Sequence, residues 1–170
     1  MKKCIFLDRD GVINEDRGDY TYRIEDFKIL NGVVESIHRL KDAGFIIIVV
    51  TNQAGISKGL YTKAQMDACH TFLQNAIGHK IEKIYHCPYH PSITQSLARK
   101  PGTLMLEKAI AKYRIDPEKS WLVGDAERDI ESGLNMGLRT IRIAIDKSEE
   151  TRAHQIARSL LEAVSEAILE

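Results

Sequence analysis

Short apolar runs recur along this chain, each closing on polar residues: Ile5 to Leu7, Phe45 to Val50, Lys83 to Cys87, Trp121 to Val123 and Leu138 to Ile143. They are too short for helices and too continuous for strands with one wet face, so they are expected to be strands buried on both faces. Helical periods fill the intervals. Val33, Ile37 and Leu40 share one face; so do Met66, Cys69, Phe72, Leu73, Ala76 and Ile77, behind a capping box at Thr62 and Gln65. Leu106, Ala109, Ile110 and Tyr113 repeat the pattern, a fourth helix is expected over Glu127 to Met136 with Gly137 as its stop, and a fifth from about Glu149 to Ile168 with Ile156, Leu160 and Val164 inward. Strand alternating with helix predicts an α/β chain: a doubly wound parallel sheet with helices on both faces.

At 170 residues the chain is expected to form one domain, 1–170, with a core that needs neither disulfide nor structural metal. The long irregular stretch near the N-terminus, Asn14 to Lys28, is short for a domain and suits a flap over a site. With 24 basic and 24 acidic residues there is no global field for a nucleic-acid backbone or an anionic membrane, so an anion must be held locally. Cys4, Cys69 and Cys87 are odd in number and scattered, which argues for a reducing compartment. The apolar run after Met1-Lys2-Lys3 is too short for a signal peptide and Phe45 to Val50 is too short to span a bilayer, so a cytoplasmic location and a monomer are expected.

In an open parallel sheet, ligands bind beyond the carboxyl ends of the strands. Those ends carry Asp8-Arg9-Asp10-Gly11, Thr51-Asn52-Gln53, and Gly124-Asp125 followed by Asp129; Arg99-Lys100-Pro101 precedes the third helix. Two residues apart on an extended chain, Asp8 and Asp10 project to the same side. Two carboxylates would repel an anionic substrate unless a divalent cation intervened, and Mg²⁺ suits oxygen ligands and phosphate, with Asp125 opposing from another strand end. Asp8 is then the candidate nucleophile on phosphorus, and Asp10 the acid that protonates the leaving alkoxide and later takes a proton from water. The Thr51 hydroxyl, the Asn52 amide and the Lys100 ammonium suit the phosphoryl oxygens. Asp129, one turn after Asp125, suits a metal-bound water or the orientation of Lys100. Acids after strands also cap helices, which is the plainer reading of Asp125 or Asp129 taken alone.

Together these residues resemble the haloacid dehalogenase superfamily: Asp-x-Asp-Gly after the first strand, Thr after the second, Lys before a helix, and Gly-Asp-x-x-x-Asp after the fourth. Phe6 to Asn14, Val50 to Ile56, Cys87-Pro88 and Arg99-Lys100-Pro101 are similar to the branch that holds heptose-1,7-bisphosphate 7-phosphatases and histidinol-phosphate phosphatases. The resemblance implies a three-layer sandwich essentially without a cap domain, and Mg²⁺-dependent hydrolysis of a small phosphorylated metabolite, a heptose bisphosphate before histidinol phosphate. It also implies metal contact by Asp8, Asp10 (through its backbone carbonyl), Asp125 and Asp129. Substrate contacts are implied at Asn52, Gln53, Lys58 and Arg99. Structural zinc is not expected, because Tyr89, Ser96 and Ala98 stand where the branch's other zinc ligands accompany Cys87. From another class, a receiver module marked by a lasting phospho-aspartate shares the doubly wound fold. The second Asp two residues after the first favours hydrolysis.

Overall fold

The first apolar run becomes strand β1 (Cys4–Leu7), every residue of which is buried, Ile5 and Leu7 toward one side of the sheet and Cys4 and Phe6 toward the other. Burial on both faces is why the run lacks polar alternation. The computed structural model describes residues 1–148 and 150–170. In it β1 is joined by β2 (Ile46–Asn52), β3 (Lys83–Cys87), β4 (Trp121–Gly124), β5 (Arg139–Ile143) and β6 (Gln155–Ala157). The strands form one parallel six-stranded sheet in the order β3-β2-β1-β4-β5-β6. The chain winds outward from β1 through β2 to β3, then crosses to β4 and winds the other way. That reversal opens a crevice between the carboxyl ends of β1 and β4.

Helices α1 (Val33–Asp42), α2 (Lys63–Ala76) and α5 (Leu160–Ala163) cover the Ile5 and Leu7 face through Ile37, Leu40, Leu73 and Leu160. Helix α3 (Leu104–Tyr113) covers the Phe6 face through Met105, Leu106 and Ala109. Burying each of these Ile, Leu and Met side chains contributes about 1.5–3 kcal/mol, so the two layers clamp the sheet from both sides. Helix α4 (Glu127–Asn135) lies close on β4 and β5. A Cβ at Gly133 would come within 2.7 Å of Thr140 Cγ2 and 3.2 Å of Leu122 Cβ. The capping box opening α2 is present, Gln65 N donating to Thr62 Oγ1 at 3.2 Å and Thr62 N to Gln65 Oε1 at 2.9 Å. No helix of the described residues is long and apolar enough to cross a membrane.

The last segment departs from expectation. In place of one helix from Glu149 to Ile168, Gln155–Ala157 pairs with β5, and helix begins only at Leu160, continuing as a π turn over Val164–Ile168; Glu149 itself lies outside the described residues. Two local features enforce the break. Thr151 Oγ1 and Arg152 N both donate to the Glu127 carboxylate, which holds the segment extended beside α4. Ser159 then caps α5, accepting from Glu162 N at 3.1 Å while Arg158 N donates to Glu162 Oε2 at 2.8 Å. Ser-x-x-Glu was readable as a helix start; the run of helix formers concealed it.

The stretch from Asn14 to Lys28 is a loop pinched at its base, Glu15 N donating to Lys28 O at 2.9 Å. It folds back on the β2–α2 connection, where Tyr22 stacks on Tyr61 with ring centres 5.0 Å apart.

Candidate active site

Asp8 follows directly on β1, its amide donating to Val123 O of β4 at 2.9 Å, so the nucleophile candidate sits at the switch point itself. Its carboxylate is nearly buried. Lys100 reaches it from the loop before α3, donating to Asp8 Oδ1 at 2.8 Å and to Val50 O at 2.7 Å, with Asp129 Oδ1 ion-paired to the same nitrogen at 2.8 Å. That loop is held by Asn52, whose amide side chain exchanges two hydrogen bonds with the Lys100 backbone, at 3.1 and 3.2 Å. The Asn52 side chain thereby fixes Lys100, leaving its backbone as the part of Asn52 available to a substrate.

Asp129 serves two partners. Oδ1 meets Lys100, and Oδ2 accepts from Ala126 N at 3.1 Å, closing the first turn of α4. Of the three readings open from sequence, helix cap and lysine orienter coexist in the structure, and the metal-bound water is a matter for the proposed function. Gly124 makes room: a Cβ there would lie 2.3 Å from Asp129 Cβ.

Asp125 comes from the end of β4. With Asp8 and Asp129 it forms a group whose nearest ligand atoms all lie within 4.8 Å of one another. Asp125 Oδ1 is buried without a hydrogen-bond partner among the described residues. Gly11, at φ +80°, permits this approach; a Cβ on it would come within 2.3 Å of Asp125 Oδ2. Burial first, then the crowding of like charges, raises Asp8 to about 7 against the pull of Lys100, and Asp125 to about 6. Burial alone would lower Lys100; Asp129 and Asp8 outweigh it and raise it, so the ammonium stays charged. One ammonium among three carboxylates leaves the group short of positive charge. The residues therefore fit a small divalent cation: hard oxygen donors, one of them unsatisfied, in a pocket of excess negative charge.

The Asp10 carboxylate stands apart from that group and is partly exposed. Arg9 grips it with Nη2 at 2.9 Å and Nε at 3.2 Å, Asn14 Nδ2 donates at 2.9 Å, and Gln53 Nε2 at 3.3 Å. Thr51 is fully buried and its hydroxyl oxygen accepts from Gln53 Nε2 at 2.8 Å, while Gln53 Oε1 accepts from Tyr61 Oη at 2.6 Å. Gln53 is thus a bracket between Thr51 and Asp10.

Lys58 and Arg99 stand farther out: the Lys58 ammonium lies 5.7 Å from the Tyr20 ring centre, and Arg99 Nη1 donates to Tyr89 O at 3.3 Å. Their loops are tied together by Ser57 N donating to Pro88 O at 3.1 Å and His90 N to Ser57 Oγ at 3.0 Å. Where related chains of the branch carry a zinc loop, Cys87 is buried in the apolar cluster with Met105 and Phe6, and Tyr89, Ser96 and Ala98 offer no thiolate or imidazole.

Several side chains at the candidate site were not found from sequence. Arg9 passed as a spacer between two acids, yet it is almost wholly buried; Nη2 also donates to Thr21 O at 2.8 Å, tying the flap to Asp10, and Nη1 lies 3.4 Å from His70 Nε2. A cation flanked by two acids at a strand end was the available signal. Tyr61 and Arg128 left none, since only the tertiary fold brings them to the site.

Comparison with known proteins agrees with this geometry. A family model described as HAD-hydrolase-like matches residues 97–167. The chain is 33% identical to the D-glycero-beta-D-manno-heptose-1,7-bisphosphate 7-phosphatase of Haemophilus ducreyi, over 96% of this chain and 97% of that one. It is 34% identical to the corresponding enzyme of Chlorobaculum tepidum, over 98% and 94%. The crystal structure of D,D-heptose 1,7-bisphosphate phosphatase from B. bronchiseptica, complexed with magnesium and phosphate, superposes with a TM-score of 0.87 at 25% identity, covering 95% of this chain and 96% of that one. The chain belongs to the haloacid dehalogenase-like phosphoric monoester hydrolases, in the branch of the heptose-bisphosphate phosphatases.

Proposed function

We propose that this protein removes the 7-phosphate of D-glycero-D-manno-heptose 1,7-bisphosphate, in a Mg²⁺-dependent reaction that passes through a phospho-aspartate at Asp8. The observation that carries the reading is the buried Asp8, clamped by Lys100 and faced by the unsatisfied oxygen of Asp125. The substrate assignment is supported by the relatives, which carry that name over nearly their whole length.

Asp8 and Asp125, with the backbone carbonyl of Asp10 and with Asp129 behind, would hold Mg²⁺, which when bound offsets the negative charge of carboxylates and phosphate. Asp8 Oδ attacks phosphorus and the bond from phosphorus to the sugar oxygen breaks. Lys100 holds the attacking carboxylate in place and, with Thr51 and the Asn52 amide, faces the oxygens on which charge grows. Asp10, protonated, gives its proton to the departing alkoxide; as carboxylate it then takes a proton from the water that attacks the acyl phosphate, releasing inorganic phosphate and free Asp8. Arg9, Asn14 and Gln53 orient that carboxyl for both steps. Arg99 and Lys58 border the pocket and contact the sugar end.

The test is steady-state hydrolysis with Mg²⁺, comparing the heptose 1,7-bisphosphate with histidinol phosphate, on wild type and Asp8→Asn. We expect strong preference for the bisphosphate and loss of turnover by at least about 10³-fold in the variant, since an amide does not attack phosphorus. Substantial residual activity in Asp8→Asn would refute the nucleophile; equal inertness of wild type toward both compounds would refute the substrate.

A further inference from the structure

A cavity of about 350 Å³ opens beside Asp10, the proposed proton donor to the leaving group. Its volume suits a small metabolite. The flap lines it from Asp16 to Thr21, and Arg128, from the first turn of α4, lines it as well.

The charges on these walls are unequal in availability. Two guanidinium groups line the cavity, Arg9 and Arg128. Arg9 is 1% exposed and directs its donors at Asp10, the Thr21 carbonyl and His70. Arg128 is exposed and, among the described residues, forms no hydrogen bond or ion pair. The acids nearest it in sequence are already engaged elsewhere: Glu127 with Arg142 and Arg152, Glu131 with Arg152, and Asp129 with Lys100. Asp16 and Asp19, which line the same cavity, accept from backbone amides of their own loop, at 2.9 and 2.7 Å, and add acidic groups to its lining. An anionic group entering here would be repelled by the flap unless a cation met it. Arg128 is the lining cation left uncommitted, and its planar fork matches two phosphate oxygens at once.

We infer that Arg128 binds the phosphate that the reaction leaves in place, and that it thereby selects sugar bisphosphates over sugar monophosphates. The inference rests on the proposed function. The transferred phosphoryl group is met at Asp8 by Lys100 and the cation site; the second phosphate, carried away from Asp8 by the length of the sugar, lies in the cavity where Arg128 waits.

Arg128 also acts on Asp125, whose carboxyl its charge favours in the ionised form. Losing it therefore weakens the cation site for every substrate, and a ratio between two substrates cancels that part. The experiment is steady-state kinetics of wild type, Arg128→Gln and Arg128→Lys on the heptose 1,7-bisphosphate and on the same sugar phosphorylated at position 7 alone. We expect Arg128→Gln to lower the ratio of kcat/KM between bisphosphate and monophosphate by about tenfold, mainly through KM for the bisphosphate, with Arg128→Lys recovering part. An unchanged ratio overturns the inference, as does a wild type that does not prefer the bisphosphate. A wild type that hydrolyses an aryl phosphate but neither sugar phosphate overturns the substrate reading, and this inference with it.

Discussion

Lys100 is one ammonium among three carboxylates, two of them buried, and each of its contacts has a different consequence. The bond to Val50 O anchors it to β2, the bond to Asp8 fixes the proposed nucleophile, and the pair with Asp129 ties it to the first turn of α4. Removing one member of such a buried set leaves the others uncompensated, at a cost of about 3–5 kcal/mol. Lys100→Ala is therefore expected to destabilise the metal-free protein by that amount at pH 8 and by clearly less at pH 5.5, where Asp8 holds a proton. Urea unfolding at the two pH values reads this directly; an equal loss at both would show that the charge of Asp8 is not what Lys100 balances.

At the scale of elements, single polar side chains contribute to holding the flap and the last helix. Arg9 joins Asp10 to the Thr21 carbonyl, so one side chain couples the proposed acid–base group to the flap. Arg9→Lys keeps the charge and loses the fork. We expect kcat to fall about 10- to 100-fold, the cost of a misplaced catalytic group, together with faster amide exchange over residues 16–26. Unaltered exchange with reduced kcat would confine Arg9 to Asp10. Ser159 caps α5, and Ser159→Ala should cost about 1 kcal/mol in urea unfolding with kcat within twofold of wild type. A loss below a few tenths would mean that Arg158 and Glu162 hold the helix start without the hydroxyl.

Across the whole molecule, the cation site links stability to pH. In the folded, metal-free protein Asp8 and Asp125 hold protons up to about 7 and about 6, whereas an unfolded aspartate releases its proton near ~3.9. Between those values the folded state binds more protons, so stability falls as pH rises through the window and is lowest above 7. Mg²⁺ needs the ionised carboxylates and acts in the opposite sense. At about one hundred times its dissociation constant it should add about 2.7 kcal/mol at pH 8, with a smaller gain at pH 5.5 for the same Mg²⁺ concentration. Thermal melts with Mg²⁺ or with chelator at both pH values test this; a gain independent of pH would place the cation away from Asp8 and Asp125.

Five of the six strands and most of the helices were determined by the sequence alone, because burial on both faces of a parallel sheet and burial on one face of a helix leave periodic marks that survive without a partner; the acid, threonine and lysine candidates were legible as the polar residues that close those strands or precede a helix. The last segment was hidden because β6 is set by its ladder with β5 and by Thr151 and Arg152 reaching Glu127, contacts that leave no period in Gln155-Ile156-Ala157. Only the tertiary structure decided that Arg9 holds Asp10, that Asn52 serves the Lys100 loop, that Gln53 brackets Thr51, and that Arg128 alone of the cavity's cations stays uncommitted. Those are choices among partners distant in sequence, and hydrogen-bond direction and charge balance are settled only when the elements meet.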